Sequence, residues 1–410
     1  MRQGLIVIVL TLLIVVVAVA GGSALYILAG RTLFPASDVY DDDYYDDLNP
    51  GVRVGEGYLD ARDVPVAGRM GIITDMVLAE LDPLPGPDIG LASAEGVAIL
   101  DESYQQKGFG RIAEYVDVIA FYQRSSDHSL FVYNCDGYGE DSEVATFDMS
   151  GKLTWKYTAA PGYVELAIGD IDQDGQPEYV IQYSESDDES TLVILDHEGK
   201  ERSRTKLALV WGMRVAERIL DGKPAVVTIE DGERLVYRSE RGHVLLEQTY
   251  EDMDGNLCIV DGFGDPDRQC VLVSELGLLR LIDGSGATIL NLAAPELGYA
   301  DAITATPIRF GPNEPHMLAV LAPTMEYEGS HLYLYTQDGA LKYFGVFDGG
   351  YSSLLALEGD GTRPARLLAA GKDVLREFTR APQAPIQQAA EQQPVEAQTA
   401  EQQTTEPQAP

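Results

Sequence analysis

The chain has 410 residues, with 66 acidic against 29 basic side chains and a formal charge of −37 at pH 7. A nucleic-acid binder needs a basic footprint to neutralise phosphates, so that class of partner is excluded, and docking on anionic lipid is disfavoured for the same reason. Arg outnumbers Lys and Asp is abundant, which suits a high-salt habitat or simply the solubility of an exposed domain.

Residues 3–30 carry no charge and consist almost wholly of Leu, Ile, Val, Ala and Gly. That run exceeds the roughly 20 apolar residues needed to cross a bilayer, whereas a secretory signal has an apolar core of about 7 to 15. Residues 1–31 are therefore expected to be a transmembrane signal-anchor. Ala18-Val19-Ala20 would be the cleavage site in the alternative reading of a secreted chain. Arg2 and the free amine lie on one side and an Asp-rich stretch on the other, so the N-terminus is expected inside. The protein is then a single-pass protein of the cell membrane with its globular part extracytoplasmic. Residues 32–70 read as an acidic juxtamembrane linker. Its stretch 38–47, rich in Asp and Tyr, is expected to be a solvated, self-repelling spacer rather than a cation or partner site.

A short pattern then recurs seven times. Apolar runs ending on a polar residue begin at Val97, Val144, Leu192, Arg234, Leu279, Leu332 and Asp373, at spacings of about 41 to 53 residues. Most are followed by a Gly turn, as at Gly151, Gly199, Gly242, Gly286 and Gly339, and then by another strand. Two further apolar runs stand upstream of the motif, such as 164–168 and 179–183. Four antiparallel strands per repeat and seven repeats predict an all-β fold, a seven-bladed β-propeller over 71–380. One blade is expected to borrow a strand from the other end of the domain, which the irregular terminal repeats leave unassigned. Trp155 is expected to pack between neighbouring blades.

One loop of the third repeat carries recognisable chemistry. It reads Asp170-Ile171-Asp172-Gln173-Asp174-Gly175-Gln176-Pro177-Glu178. Alternating carboxylates, a Gly for the turn and a ninth-position carboxylate make a hard-oxygen cage of the kind Ca2+ takes. Asp170, Asp172 and Asp174 would offer side-chain oxygens, Gln176 its carbonyl and Glu178 the closing carboxylate. An EF-hand needs its last acid at the twelfth position, which here is Ile181, and the flanks are strands rather than helices. The bland alternative is an acidic turn with no metal.

These residues resemble the FG-GAP/VCBS repeat family, integrin-alpha-like propellers whose blades carry an Asp-x-Asp-x-Asp-Gly-x-x-Asp/Glu calcium loop between their first two strands. The likeness is specific in 170–178 and holds at the level of blade pattern over roughly 75–380. Elsewhere the loop has decayed. The fifth repeat keeps Asp261 and Asp265, but Phe263 and Gln269 stand where other ligands belong. The resemblance thus implies one calcium site rather than a ring of them. The stretch 147–155 is also similar to a quinoprotein-type blade, which implies packing and no bound quinone.

Loops on the face opposite the calcium loop include the longest acidic ones. Tyr115, Tyr163, Trp211, Tyr299 and Tyr351 recur shortly before the first strand of five blades. They are candidates for a ligand-stacking ring at the channel mouth, for a glycan or a protein partner. The competing reading, and the weightier one, is that they wedge blade against blade. Cys258 and Cys270 flank a hairpin centred near Gly264, where either a cross-strand disulfide or two buried thiols fits. No nucleophile elbow, metal-His cluster or phosphate loop is present, and no catalytic residue is assigned. A partner-binding propeller is the leading expectation. A polysaccharide-active lyase or hydrolase, or a scaffold subunit of an envelope complex, are the alternatives. The segment 381–410, rich in Gln, Pro, Ala and Glu, lacks the apolar residues to fold and is expected to be disordered.

Overall fold

The computed structural model describes residues 54–382 apart from short stretches, the longest of them 80–87. The expected membrane segment 1–31 and nearly all of the tail 381–410 lie outside the described residues. Among the described residues, twenty-eight strands form seven four-stranded antiparallel sheets, an all-β seven-bladed propeller. Blade 1 runs from Ile73–Ala79 to Gln106–Arg111, blade 2 from Val118–Gln123 to Leu153–Thr158, and blade 3 from Tyr163–Gly169 to Glu201–Ala208. Blade 4 runs from Val210–Leu220 to Val244–Thr249, blade 5 from Leu257–Asp261 to Thr288–Ala293, and blade 6 from Thr304–Ile308 to Leu341–Asp348.

Burial follows each strand's place in its blade. Middle strands such as Glu189–Leu195 and Lys223–Glu230 are buried almost end to end, because neighbouring blades cover both their faces. Outer strands such as Leu153–Thr158 and Val244–Thr249 alternate between exposed and half-buried residues, as a rim strand with one wet face must. The core is accordingly not one central mass. Among the described residues it falls into seven apolar clusters, one at each junction between adjacent blades. Trp155 lies at one of them: it stacks on Tyr179 of blade 3 at 4.2 Å between ring centroids and 3° between planes. A Cβ on Gly199 of blade 3 would stand 2.5 Å from the Trp155 indole nitrogen, so the glycine gives room for the ring.

The recurring polar residue after the third strand has a local cause. Asp148 Oδ1 accepts the N–H groups of Ser150 at 2.9 Å and Lys152 at 3.1 Å. Asp196 and Asp283 do the same in blades 3 and 5, and Thr336 Oγ1 accepts the N–H of Ala340 in blade 6. Each such side chain satisfies backbone donors of the hairpin joining third and fourth strands. Blade 1 has Tyr104 where blades 2 to 6 have Gly, held at φ 64°. Its hydroxyl bonds Glu377 of blade 7 and Arg366 stacks over its ring at 5.3 Å, contacts that offset the backbone strain.

Blade 7 shows how the ring closes. Ser353–Leu357, Arg366–Ala370 and Val374–Arg380 supply its inner three strands, and Leu59–Pro65 from the other end of the chain supplies its outer one. A strand borrowed across the termini was expected, but Leu59–Pro65 falls within the stretch 32–70 that reads as linker. Its burial is mostly exposed, so no apolar run betrays it.

The hairpin between Leu257–Asp261 and Gln269–Glu275 is centred one residue later than the sequence suggests. Cys258 pairs with Leu272 and Val260 with Cys270. The two cysteines are thus diagonal neighbours, with Cα atoms roughly 7–8 Å apart in such a register, too far for a bridge without backbone movement. Both are free and buried. Burial pushes the Cys258 thiol up to about 12 and that of Cys270 up to about 11.

A carboxylate loop on blade 3 as candidate functional site

The loop 170–177 joins the inner strand Tyr163–Gly169 to Glu178–Ser184, on the face that also carries the hairpins between third and fourth strands. Gln173 at φ 63° and Gly175 at φ 85° turn the backbone back on itself. The loop then folds its own amides onto its carboxylates. Asp170 Oδ2 accepts the N–H of Gly175 at 3.0 Å, Asp172 Oδ1 that of Asp174 at 3.1 Å, and Asp174 Oδ1 that of Gln176 at 2.8 Å. Asp170, Asp172 and Asp174 each bring an oxygen to within 4.8 Å of the others.

Glu178 sits differently from those three. It begins the second strand, is fully buried, and takes the N–H of Ile171 on Oε2 at 2.8 Å, with that of Asp172 at 3.4 Å. Burial is the main cause that lifts its carboxyl to about 7. The charge of Asp172 adds to the rise, while the two backbone N–H groups and Arg202 oppose it. No donor satisfies Glu178 Oε1, nor the buried Oδ1 of Asp170. Two buried carboxylate oxygens that accept no hydrogen bond make an acceptor-rich site. Gln176 enters through its N–H, which donates to Asp174.

Arg202 was not legible as part of this site. It lies 30 positions beyond Asp172, on the outer strand of the same blade. Its Nη1 bonds Asp172 Oδ2 and stands 3.3 Å from Glu178 Oε1. Its placement just after the hairpin on the loop's own face was the available signal.

The decayed loop of blade 5 is filled by other means. Asp261 accepts from Arg218 at 2.8 Å and from Gln269 Nε2 at 2.9 Å, while Phe263 is buried. Side-chain hydrogen bonds and an apolar plug take the place of the missing carboxylates.

On the opposite face the expected aromatic ring divides. Tyr163 and Trp211, at the starts of the inner strands of blades 3 and 4, are 47% and 50% exposed. Tyr351 is 3% exposed, edge-on to Phe347 at 5.3 Å and beneath Arg376. It wedges blade 6 against blade 7. Tyr115 and Tyr299 lie outside the described residues.

No family model matches the chain, and no curated protein does so either. Solved structures do. BBS1N in complex with ARL6DN, in a mercury-soaked crystal, is similar at TM-score 0.52 and 14% identity, over 81% of this chain and 99% of that one. The lead-soaked form of the same complex gives 0.53 at 14% identity and the same coverage. The WD40 domain of Neurospora crassa Pan2 gives 0.48 at 8% identity, over 79% of this chain and 96% of that one. At such identities the likeness to BBS1N concerns the propeller fold alone.

Proposed function

We propose that this chain is a non-catalytic binding propeller, one blade of which is braced by a structural calcium ion, as the resemblance to the FG-GAP/VCBS repeat family implies. The observation that carries the reading is the blade 3 loop. Three aspartate oxygens converge there, and the buried Asp170 Oδ1 and Glu178 Oε1 accept no hydrogen bond. Hard oxygens of that kind are what Ca2+ requires, and water or protein carbonyls complete its usual six to eight. Asp170, Asp172 and Asp174 would hold the ion. Glu178, tied to the amides of Ile171 and Asp172, would keep the loop in shape and offer Oε1. The ion would neutralise like charges and stabilise the hairpin, with no part in any reaction.

The test is calcium titration of the protein by calorimetry and thermal melting, beside the double variant Asp172→Ala/Asp174→Ala. One site that raises Tm in the parent and disappears in the variant is the expected result. No binding at millimolar calcium would leave the loop as an acidic turn.

The partner, on this proposal, is a protein or a glycan that docks on the face opposite the calcium loop. Support comes from Tyr163 and Trp211, two large aromatics exposed at the starts of the inner strands of adjacent blades. Rigid aromatics stack on sugar rings and anchor peptides. Residues 1–31 would anchor the domain to the membrane with the propeller outside the cell. Tyr163→Ala/Trp211→Ala should lower affinity for a protein or glycan ligand about ten-fold or more, read by surface binding to a glycan array and to captured envelope proteins. Phe109→Ala, an equally exposed rim aromatic, should leave binding unchanged.

A further inference from the structure

We infer that Arg202 is a built-in counter-cation of the blade 3 loop, which competes with the metal ion for Asp172 and so sets the loop's calcium affinity. This rests on the calcium reading above and names how that site is regulated. The loop brings three aspartates together with Glu178 at its end, and the cation the structure sets against Asp172 and Glu178 is the Arg202 guanidinium. One nitrogen, Nη1, reaches both Asp172 Oδ2 and Glu178 Oε1, so a single donor serves the two acids that stand on either side of it.

An ion seated between the aspartates needs oxygen from Asp172, the residue that Arg202 holds. The guanidinium occupies Oδ2 of that carboxylate, and its charge, if it stays close, repels a divalent ion across a few ångströms. Guanidinium and ion are therefore alternatives at Asp172. The exchange is feasible because the pair lies at the surface: the Arg202 side chain is 26% exposed and that of Asp172 24%. A solvent-reachable pair of this kind has little net strength to defend itself against a tighter ligand. Asp170 Oδ1, which accepts no hydrogen bond, loses nothing when the exchange occurs, whereas Glu178 gives up its 3.3 Å ion pair with Arg202. Without calcium, Arg202 ties the outer strand to the loop and keeps the blade braced.

The test compares Ca2+ binding to the full chain and to Arg202→Gln by calorimetry, with thermal melts in chelator and in calcium. Arg202→Gln should bind calcium about ten-fold tighter, and its calcium-induced rise in Tm should exceed that of the parent. In chelator its Tm should fall below the parent's. Arg202→Lys keeps the charge but not the planar fork, and should lie between the two. Calcium binding by Arg202→Gln alone, with none by the parent, would be the strongest form of support. Equal or weaker affinity in Arg202→Gln would overturn the competition while leaving the calcium site in place. Absence of binding in all three proteins would overturn the site and the competition together.

Discussion

Asp75 shows how a single side chain can knit three blades. It sits on the inner strand of blade 1, where its carboxylate accepts the N–H of Met76 and of Phe121 in blade 2, both at 2.8 Å. The hydroxyl of Ser353 in blade 7 donates to it at 3.3 Å. Burial is the dominant influence and pushes the carboxyl up to about 6, despite those donors. A raised carboxyl in the folded state means that the fold takes up a proton between about pH 6 and the ordinary carboxylate range. Stability from this group therefore grows as pH falls through that window, and the penalty of a buried charge is in full force above it. Between pH 7 and pH 5 the gain is about 1 kcal/mol. Urea denaturation of the parent and of Asp75→Asn across that range should show the parent gaining on the variant as pH is lowered. A difference independent of pH would exclude the raised carboxyl. Nothing in the sequence marks Asp75, whose neighbours across the ring are far away in the chain. The capping Asp residues after the third strands were legible because they bond amides two and four positions on.

The closing strand belongs to the scale of elements. Leu59–Pro65 pairs with Val374–Arg380 in a register that sets Arg62 against Glu377 and Asp63 against Arg376. Both pairs are joined: Arg62 Nε to Glu377 at 2.7 Å, and Arg376 to the two Asp63 oxygens at 2.6 and 3.0 Å. The hydrogen bond from Arg376 is the main cause that holds the Asp63 carboxyl below its usual range. Such a depressed carboxyl contributes fully above the ordinary carboxylate range, and its contribution is lost as pH falls below it. Asp373 adds a local anchor by accepting the N–H groups of Met70 and Gly71 at 2.7 and 2.8 Å. A domain trimmed to 72–382 loses all of this and bares the edge of Val374–Arg380. It should melt at lower temperature than 54–382 and associate through the bared edge, as light scattering and calorimetry would reveal. Identical melting of the two would mean that the strand is dispensable. Its sequence, LDARDVP, hid it, since sustained alternation of apolar and polar residues is how a strand declares itself and here the alternation breaks at Arg62-Asp63 after four residues. The same limit concealed the true register at Cys258 and Cys270, which a one-residue shift of the hairpin converts from facing to diagonal.

At the scale of the molecule, the propeller was legible because its design repeats. Seven buried third strands with seven spaced copies declare the blade number before any contact is known, and the structure places a strand at each of them. The apolar material divides in step, one cluster to each junction. The loop of blade 3 was equally legible, because its donor residues are consecutive. Arg202 was not, since it reaches the loop from the far side of the blade. Tyr351 looks like Tyr163 and Trp211 in sequence and ends up buried, because Phe347 and Arg376 close over it. Position in a repeat fixes the strand on which a residue lies. The neighbouring blade decides whether it meets solvent.

The strand that completes the ring is among the first parts of the domain to leave the ribosome, and its mate is the last. Arg62 and Glu377 are 315 positions apart. At about 5 to 20 residues per second, translation separates their appearance by roughly 15 to 60 s. Throughout that interval the early strand has nothing to pair with, and an apolar strand in that predicament would recruit whatever edge it met. A segment bearing Asp60, Arg62, Asp63 and Pro65 stays soluble and unattractive to other strands while it waits. Its charged residues are thus a provision for biosynthesis, set aside early and finding their counterparts only when the last strand of the domain has been made.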